Sequence, residues 1–123
     1  KIRNKKISFL GVTFKANTDD MRDSSSLKLI PYLSKKGAQI KYYDPTGSKV
    51  EFKNLKNVQF SPSIKESIKD SDLVIIHTEW NDFKSINFKK FSKNKKLIIY
   101  DMRNIFSQTK IKNIGFEYFG IGR

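Results

Sequence analysis

The chain alternates between short unbroken apolar runs and stretches in which apolar residues recur three or four positions apart. Residues 5–14, "KKISFLGVTF", form the first unbroken run and predict a strand. Further strands are predicted at 38–45, "AQIKYYDP", closed by Asp44-Pro45, and at 57–60, "NVQF". Residues 72–80, "DLVIIHTEW", and 95–104, "KKLIIYDMRN", have the continuous apolar centre of strands covered on both faces. A last strand is predicted at 116–122, "FEYFGIG". Between these runs the period changes. Residues 27–37 place Leu27, Ile30 and Leu33 on one helical face and end at Gly37. Pro31 then belongs in the first turn, behind an N-cap from Ser24, Ser25 or Ser26, or it kinks the helix. Residues 61–70 predict a helix with Ser61 as N-cap and Pro62 at its first position. The spacing of Phe83, Ile86 and Phe88 or Phe91 predicts a short helix or two turns.

Strands alternating with helices imply right-handed crossovers and a parallel sheet. The expected fold is therefore doubly wound α/β, a mainly parallel sheet of five to six strands with helices on both faces, forming one domain over 1–123. Ligands of such sheets gather beyond the carboxyl ends of the strands, where the strand order reverses. The polar residues of this chain are concentrated at those ends. Phe14, Lys15, Asp19 and Asp20 follow the first strand, Thr78, Glu79 and Trp80 the fourth, and Asp101, Arg103 and Asn104 the fifth.

Charge changes the picture less than its size suggests. The formal net charge of +13 raises nucleic acid as a partner. However, only Arg3, Arg22, Arg103 and Arg123 are arginines, and the lysines are scattered over turns and helix faces. That distribution describes a solvated surface, so no nucleic-acid partner is expected. The competing reading is a stand-alone basic module for polyanions, which needs exposed aromatics interleaved with cations. The phenylalanine spacing assigns most of them to a core instead. With no Cys there is no thiolate chemistry, and His77 alone cannot build a metal site. No run approaches the length of a membrane span, and the apolar run behind the lysine-rich start is too short for a signal peptide, so a cytoplasmic protein is expected. A chain that starts at Lys1 and stops one residue after "GIG" reads as a piece of a longer polypeptide.

Taken singly, several residues have plain structural readings. Asp19 and Asp20 can cap a turn with Arg22 as a surface partner, His77 reads as a satisfied packing histidine, and Trp80 as a lid on the core. Asp44 stands where a dinucleotide fold would hold a ribose, but it lies 33 residues beyond Gly11, and that lone glycine replaces the three of GxGxxG. The domain by itself is therefore not expected to hold a nicotinamide cofactor.

Five segments in register, "GVTFKANTDDMRDSSSL", "YYDP", "VIIHTEW", "DMRN" and the terminal "GIGR", resemble the C-terminal nucleotide-sugar-binding domain of the UDP-glucose/GDP-mannose dehydrogenase family. The pairing of "TEW" with "DMRN" resembles the UDP-glucose branch more than the GDP-mannose or UDP-N-acetyl-amino-sugar branches. The resemblance implies an intact enzyme, a homodimer, that oxidises UDP-glucose to UDP-glucuronate by two hydride transfers to NAD. It also implies that the NAD-binding Rossmann domain and a nucleophilic cysteine lie outside this sequence, so that the chain alone is inactive. On the same basis Phe14 and Lys15 approach the nucleotide sugar and Arg103 reaches the sugar and diphosphate. Asp19, Asp20 and Arg22 would then fix the loop that presents Lys15.

Overall fold

The computed structural model describes residues 2–122. Its strands are β1 (Lys6–Leu10), β2 (Gln39–Tyr43), β3 (Val58–Phe60), β4 (Leu73–Ile76), β5 (Ile98–Asp101) and β6 (Glu117–Gly120). They form one sheet in the order β3-β2-β1-β4-β5-β6, and every neighbouring pair is parallel. The order reverses between β1 and β4, where Ile7 stands opposite Leu73 and Leu10 opposite Ile76. The doubly wound fold expected from the alternation is the fold observed.

The side-chain period of two explains why the central strands are apolar throughout. Ile75 of β4 packs with Ile7, Phe9, Ile40 and the α1 (Ser26–Lys35) residues Ile30 and Leu33 on one face of the sheet. Its neighbours Val74 and Ile76 pack on the opposite face with Leu10, Ile99, Ile68 and Phe83. Each such aliphatic side chain contributes roughly 1.5–3 kcal/mol by leaving water. At the edge the pattern relaxes: in β6 Tyr118 is buried while Phe119 is 50% exposed.

Several boundaries differ from the expected ones. The strands are shorter, because the first and fourth runs leave the sheet at Gly11 and His77 and continue as loops. Pro31 lies inside α1 and not in its first turn, leaving the Leu27 carbonyl without the amide donor of the next turn. The helix in 61–70 is α2 (Ile64–Ile68), capped two residues later than expected: Ser63 Oγ accepts from the Glu66 amide. The stretch after β4 is a 3-10 turn, Asn81–Phe83, followed by α3 (Phe88–Phe91). A 3-10 turn at Val50–Phe52 and α4 (Gln108–Asn113) were not legible from apolar spacing; α4 buries only Ile111. Among the described residues, no helix is long and apolar enough to cross a membrane.

Candidate functional site

The loop between β1 and α1, residues 11–25, lies at the carboxyl edge beside the reversal of strand order. It is closed on itself by polar bonds. The Phe14 amide donates to the Asp20 carbonyl at 2.9 Å, and the Thr13 hydroxyl donates to the Lys15 carbonyl at 2.9 Å. Ser24 and Ser26 both donate to the Val12 carbonyl, at 2.7 and 2.6 Å, drawing the end of the loop onto its beginning. Gly11 starts the loop at φ +80°, and a Cβ there would stand 2.6 Å from Thr78 Cβ. Only glycine allows β1 and the β4 end to approach so closely.

Two buried aspartates organise the adjoining strand ends. Asp44, at the end of β2, accepts from the Val12 amide at 2.8 Å and from the Thr46 amide at 3.0 Å. Asp101, at the end of β5, accepts from the amides of Arg103 and Phe106, each at 3.1 Å, and from the Tyr118 hydroxyl at 2.7 Å. These bonds shape the turn that carries Arg103. Asn104 in that turn adopts φ +54°, and its side-chain amide donates to the Ile121 carbonyl at 2.9 Å.

Arg103 is exposed at its tip and anchored at its base. Its Nε donates to the His77 carbonyl at 2.9 Å, and one terminal nitrogen reaches the Phe14 carbonyl at 3.5 Å. Three loops therefore meet at this guanidinium. Part of its donor fork already holds backbone, and the remaining N–H groups are open to an anion. Phe14, 46% exposed, and Lys15, also exposed, lie on the same β1 loop.

The acidic cluster divides. Asp20 grips Arg22 in a bidentate pair, Nε to Oδ1 and Nη2 to Oδ2 at 3.0 Å each, the only ion pair among the described residues. The Arg22 side-chain and backbone donors pull the Asp20 pKa down to about 2. Asp19 is exposed, and no hydrogen bond or ion pair of its side chain occurs among the described residues. The Asp20–Arg22 pair thus closes one turn within the loop, and Asp19 takes no part in that pair. Trp80 is 8% exposed within the core cluster, as a lid would be. His77 is 1% exposed with both ring nitrogens in hydrogen-bond range of hydroxyls. Burial first, and then the nearby Arg103 cation, push its pKa down to about 4, so it is neutral at ordinary pH.

Comparison with known proteins adds a decisive observation: residues 8–108 match the profile of the "UDP-glucose/GDP-mannose dehydrogenase family, UDP binding domain". The chain belongs to that family. A UDP-glucose 6-dehydrogenase of Rhizobium meliloti (strain 1021) is 37% identical over 123 residues, which cover 99% of this chain and 28% of that protein. One from Rickettsia prowazekii (strain Madrid E) is 37% identical over 124 residues, covering 98% and 29%. Among solved structures, an NDP-N-acetyl-D-galactosaminuronic acid dehydrogenase from Methanosarcina mazei Go1 superimposes with a TM-score of 0.84 at 28% identity, over 100% of this chain and 26% of that one. The chain thus spans little more than a quarter of the length of these relatives.

Membership in a dehydrogenase family raises the question of NAD, and the β1–α1 connection does not fit a dinucleotide. Gly11 is consumed by packing against Thr78, and α1 begins only at Ser26, too late to aim its first amides at a pyrophosphate held by the strand end. The Asp44 carboxylate, where a ribose would be gripped, is 1% exposed and filled by Val12 and Thr46. Among the described residues no group of three potential ligands could hold a metal ion.

Proposed function

We propose that this chain is the nucleotide-sugar-binding part of a UDP-glucose 6-dehydrogenase, with the diphosphate bound between Arg103 and the Lys15 loop. The observation that carries this reading is the seating of Arg103. It projects free N–H groups from the junction of the β1, β4 and β5 loops, beside an exposed phenylalanine and an exposed lysine. A diphosphate presents paired oxygens to such a fork, and each charge-assisted contact contributes about 1.5–3 kcal/mol. The supporting sequence relationship is to proteins named UDP-glucose 6-dehydrogenase. Oxidation of the sugar and the binding of NAD would belong to other parts of the enzyme, since the β1–α1 turn does not fit the cofactor and the chain has no Cys to act as nucleophile. The role of this chain's residues is then to bind and orient the substrate: Lys15 and Arg103 on the phosphates, Phe14 against the ligand, Asp20 and Arg22 holding the loop.

The test is an amide chemical-shift titration of the chain with UDP-glucose, UDP, GDP-mannose and NAD+. UDP compounds should perturb residues 13–20, 77–80 and 102–105, and NAD+ should leave them largely unmoved. Perturbation spread evenly over surface lysines, with no preference for UDP compounds, would instead favour the basic polyanion module.

A further inference from the structure

Of the three serines that open α1, Ser24 and Ser26 hold the Val12 carbonyl, and the middle one behaves unexpectedly. Ser25 occupies the N-cap position, yet its side chain caps no amide of α1. A serine there ordinarily accepts from the second or third amide of its helix. Instead its Oγ lies 2.8 Å from Nε2 of His77, a residue far away in sequence at the end of β4. The other ring nitrogen, Nδ1, lies 3.0 Å from the Thr78 hydroxyl, which donates its one proton to the Thr13 carbonyl at 3.1 Å. With the Thr78 proton spent on Thr13, the arrangement that pairs both ring nitrogens carries the proton on Nδ1 and accepts from Ser25 at Nε2. The His77 backbone carbonyl meanwhile receives Arg103 Nε at 2.9 Å. His77 thus meets the end of the β1–α1 loop directly through Ser25, the start of it by way of Thr78, and the base of the arginine through its own carbonyl.

We propose that His77 is a positioning residue which, as the neutral Nδ1–H tautomer, sets the Lys15-bearing loop at a fixed distance from Arg103 so that both cations face one ligand. This deepens the reading of the site given above and rests on it for the ligand. The charged and polar groups around the ring agree with a neutral state. Burial and the Arg103 cation oppose a second proton, while the Gly11 carbonyl and the Asp44 carboxylate favour one and are outweighed. His77 itself is enclosed and does not contact the ligand; it acts through Ser25, Thr78 and Arg103.

The test has a ligand-free and a ligand-bound arm. In the chain without ligand, ring nitrogen shifts of this single histidine should report a protonated Nδ1 and a bare Nε2, unchanged between about pH 5.5 and 8 given its lowered pKa. Ser25→Ala should move the amides of residues 13–20 and the Arg103 Nε resonance. An Nε2–H tautomer, a titration near the ordinary histidine midpoint, or unmoved loop resonances would overturn the proposal, whether or not UDP-glucose binds. In the second arm, Ser25→Ala should weaken UDP-glucose binding about fivefold and His77→Leu about tenfold, the usual effect of losing one or two hydrogen bonds. His77→Gln, whose amide reaches the Nε2 position, should recover more affinity than His77→Asn, which reaches only Thr78. Emission of Trp80, the chain's single tryptophan, checks that each variant is folded. Folded Ser25→Ala and His77→Leu variants that bind as the parent does would also overturn the proposal. Failure of the parent itself to bind UDP-glucose, with the ring and loop signatures present, would instead remove the ligand assignment and leave the positioning role.

Discussion

The two ends of this parallel sheet invite comparison, because a cavity at the amino edge and the more ordered polar chemistry fall at opposite ends. At the amino edge a cavity of about 250 Å³ opens between β1, β2, β3 and α2, lined by Lys6, Lys41, Lys56 and Asp70 among others. The lysines there are largely exposed, and none of them donates a side-chain hydrogen bond among the described residues. At the carboxyl edge Arg103 and the side chains of Asp44, Asp101, Ser24, Ser26 and Thr78 all bind loop backbone. A solvated lysine must be immobilised anew by each ligand, whereas a guanidinium seated on two carbonyls is already oriented. The carboxyl edge is therefore the preorganised one, and that is the ground on which binding is proposed there.

The largest expected effect comes from loosening the carboxyl edge at its tightest point. Gly11→Ala places a Cβ 2.6 Å from Thr78 Cβ at a positive φ, and should lower stability by about 3 kcal/mol in chemical denaturation. Gly47→Ala, at φ +95° with nothing within 4 Å of the added Cβ, should cost only the backbone term, about 1 kcal/mol. Equal losses at the two glycines would show that close approach does not distinguish this edge.

Acid titration gives a comparable effect by a different route. His77 has its folded pKa lowered to about 4 from an ordinary 6.5, so the unfolded chain takes up a proton first as the pH falls. Stability should be fully retained above pH 6.5 and decline between there and about 4, by up to about 3 kcal/mol, with no further loss from this group below. Asp20, lowered to about 2, acts in a more acidic window, losing its contribution as the pH falls from about 4 toward 2. A melting profile that stays flat from pH 6.5 to 4.5 would contradict the buried, neutral state of His77.

Ligand binding sharpens the contrast with a somewhat smaller effect. Arg103→Ala should weaken UDP-glucose binding by about 1.5–3 kcal/mol without unfolding the chain, and Arg103→Lys should recover only part, since an ammonium keeps the charge and loses the fork. Lys15→Ala should lose a comparable amount. Lys56→Ala at the amino-edge cavity and Lys93→Ala before β5 should change binding least, and calorimetry at two salt concentrations separates a built site from general attraction. Similar losses at all four positions would erase the distinction between the edges.

The legible and illegible parts of the sequence follow from how local each signal is. Unbroken apolar runs such as "LVII" report burial on two faces, and they located β1, β4 and β5. α4 escaped because its "QTKIKN" buries a single isoleucine, leaving no apolar period to read. The shift of the α2 cap from Ser61 to Ser63 reflects a choice among closely spaced serines that only the backbone geometry makes. Phe14, Lys15 and Arg103 were legible as residues beyond strand ends. Their mutual arrangement was not, and neither were the roles of Asp44, Asp101 and Ser25, whose partners lie elsewhere in the chain.

By itself the sequence determined the alternation of strands and helices, the parallel sheet, the absence of thiol chemistry and the membership suggested by its segments in register. These are properties of composition and near-neighbour periodicity, which each stretch of chain carries alone. Tertiary structure alone decided that part of the Arg103 fork is anchored on two carbonyls, that Asp20 and not Asp19 braces Arg22, and that Ser25 leaves its helix uncapped to meet His77. The reason is the crossing of β4 beside β1, which brings residues 77–80 against a loop more than fifty positions earlier, where one-proton hydroxyls and buried carboxylates must share out every donor.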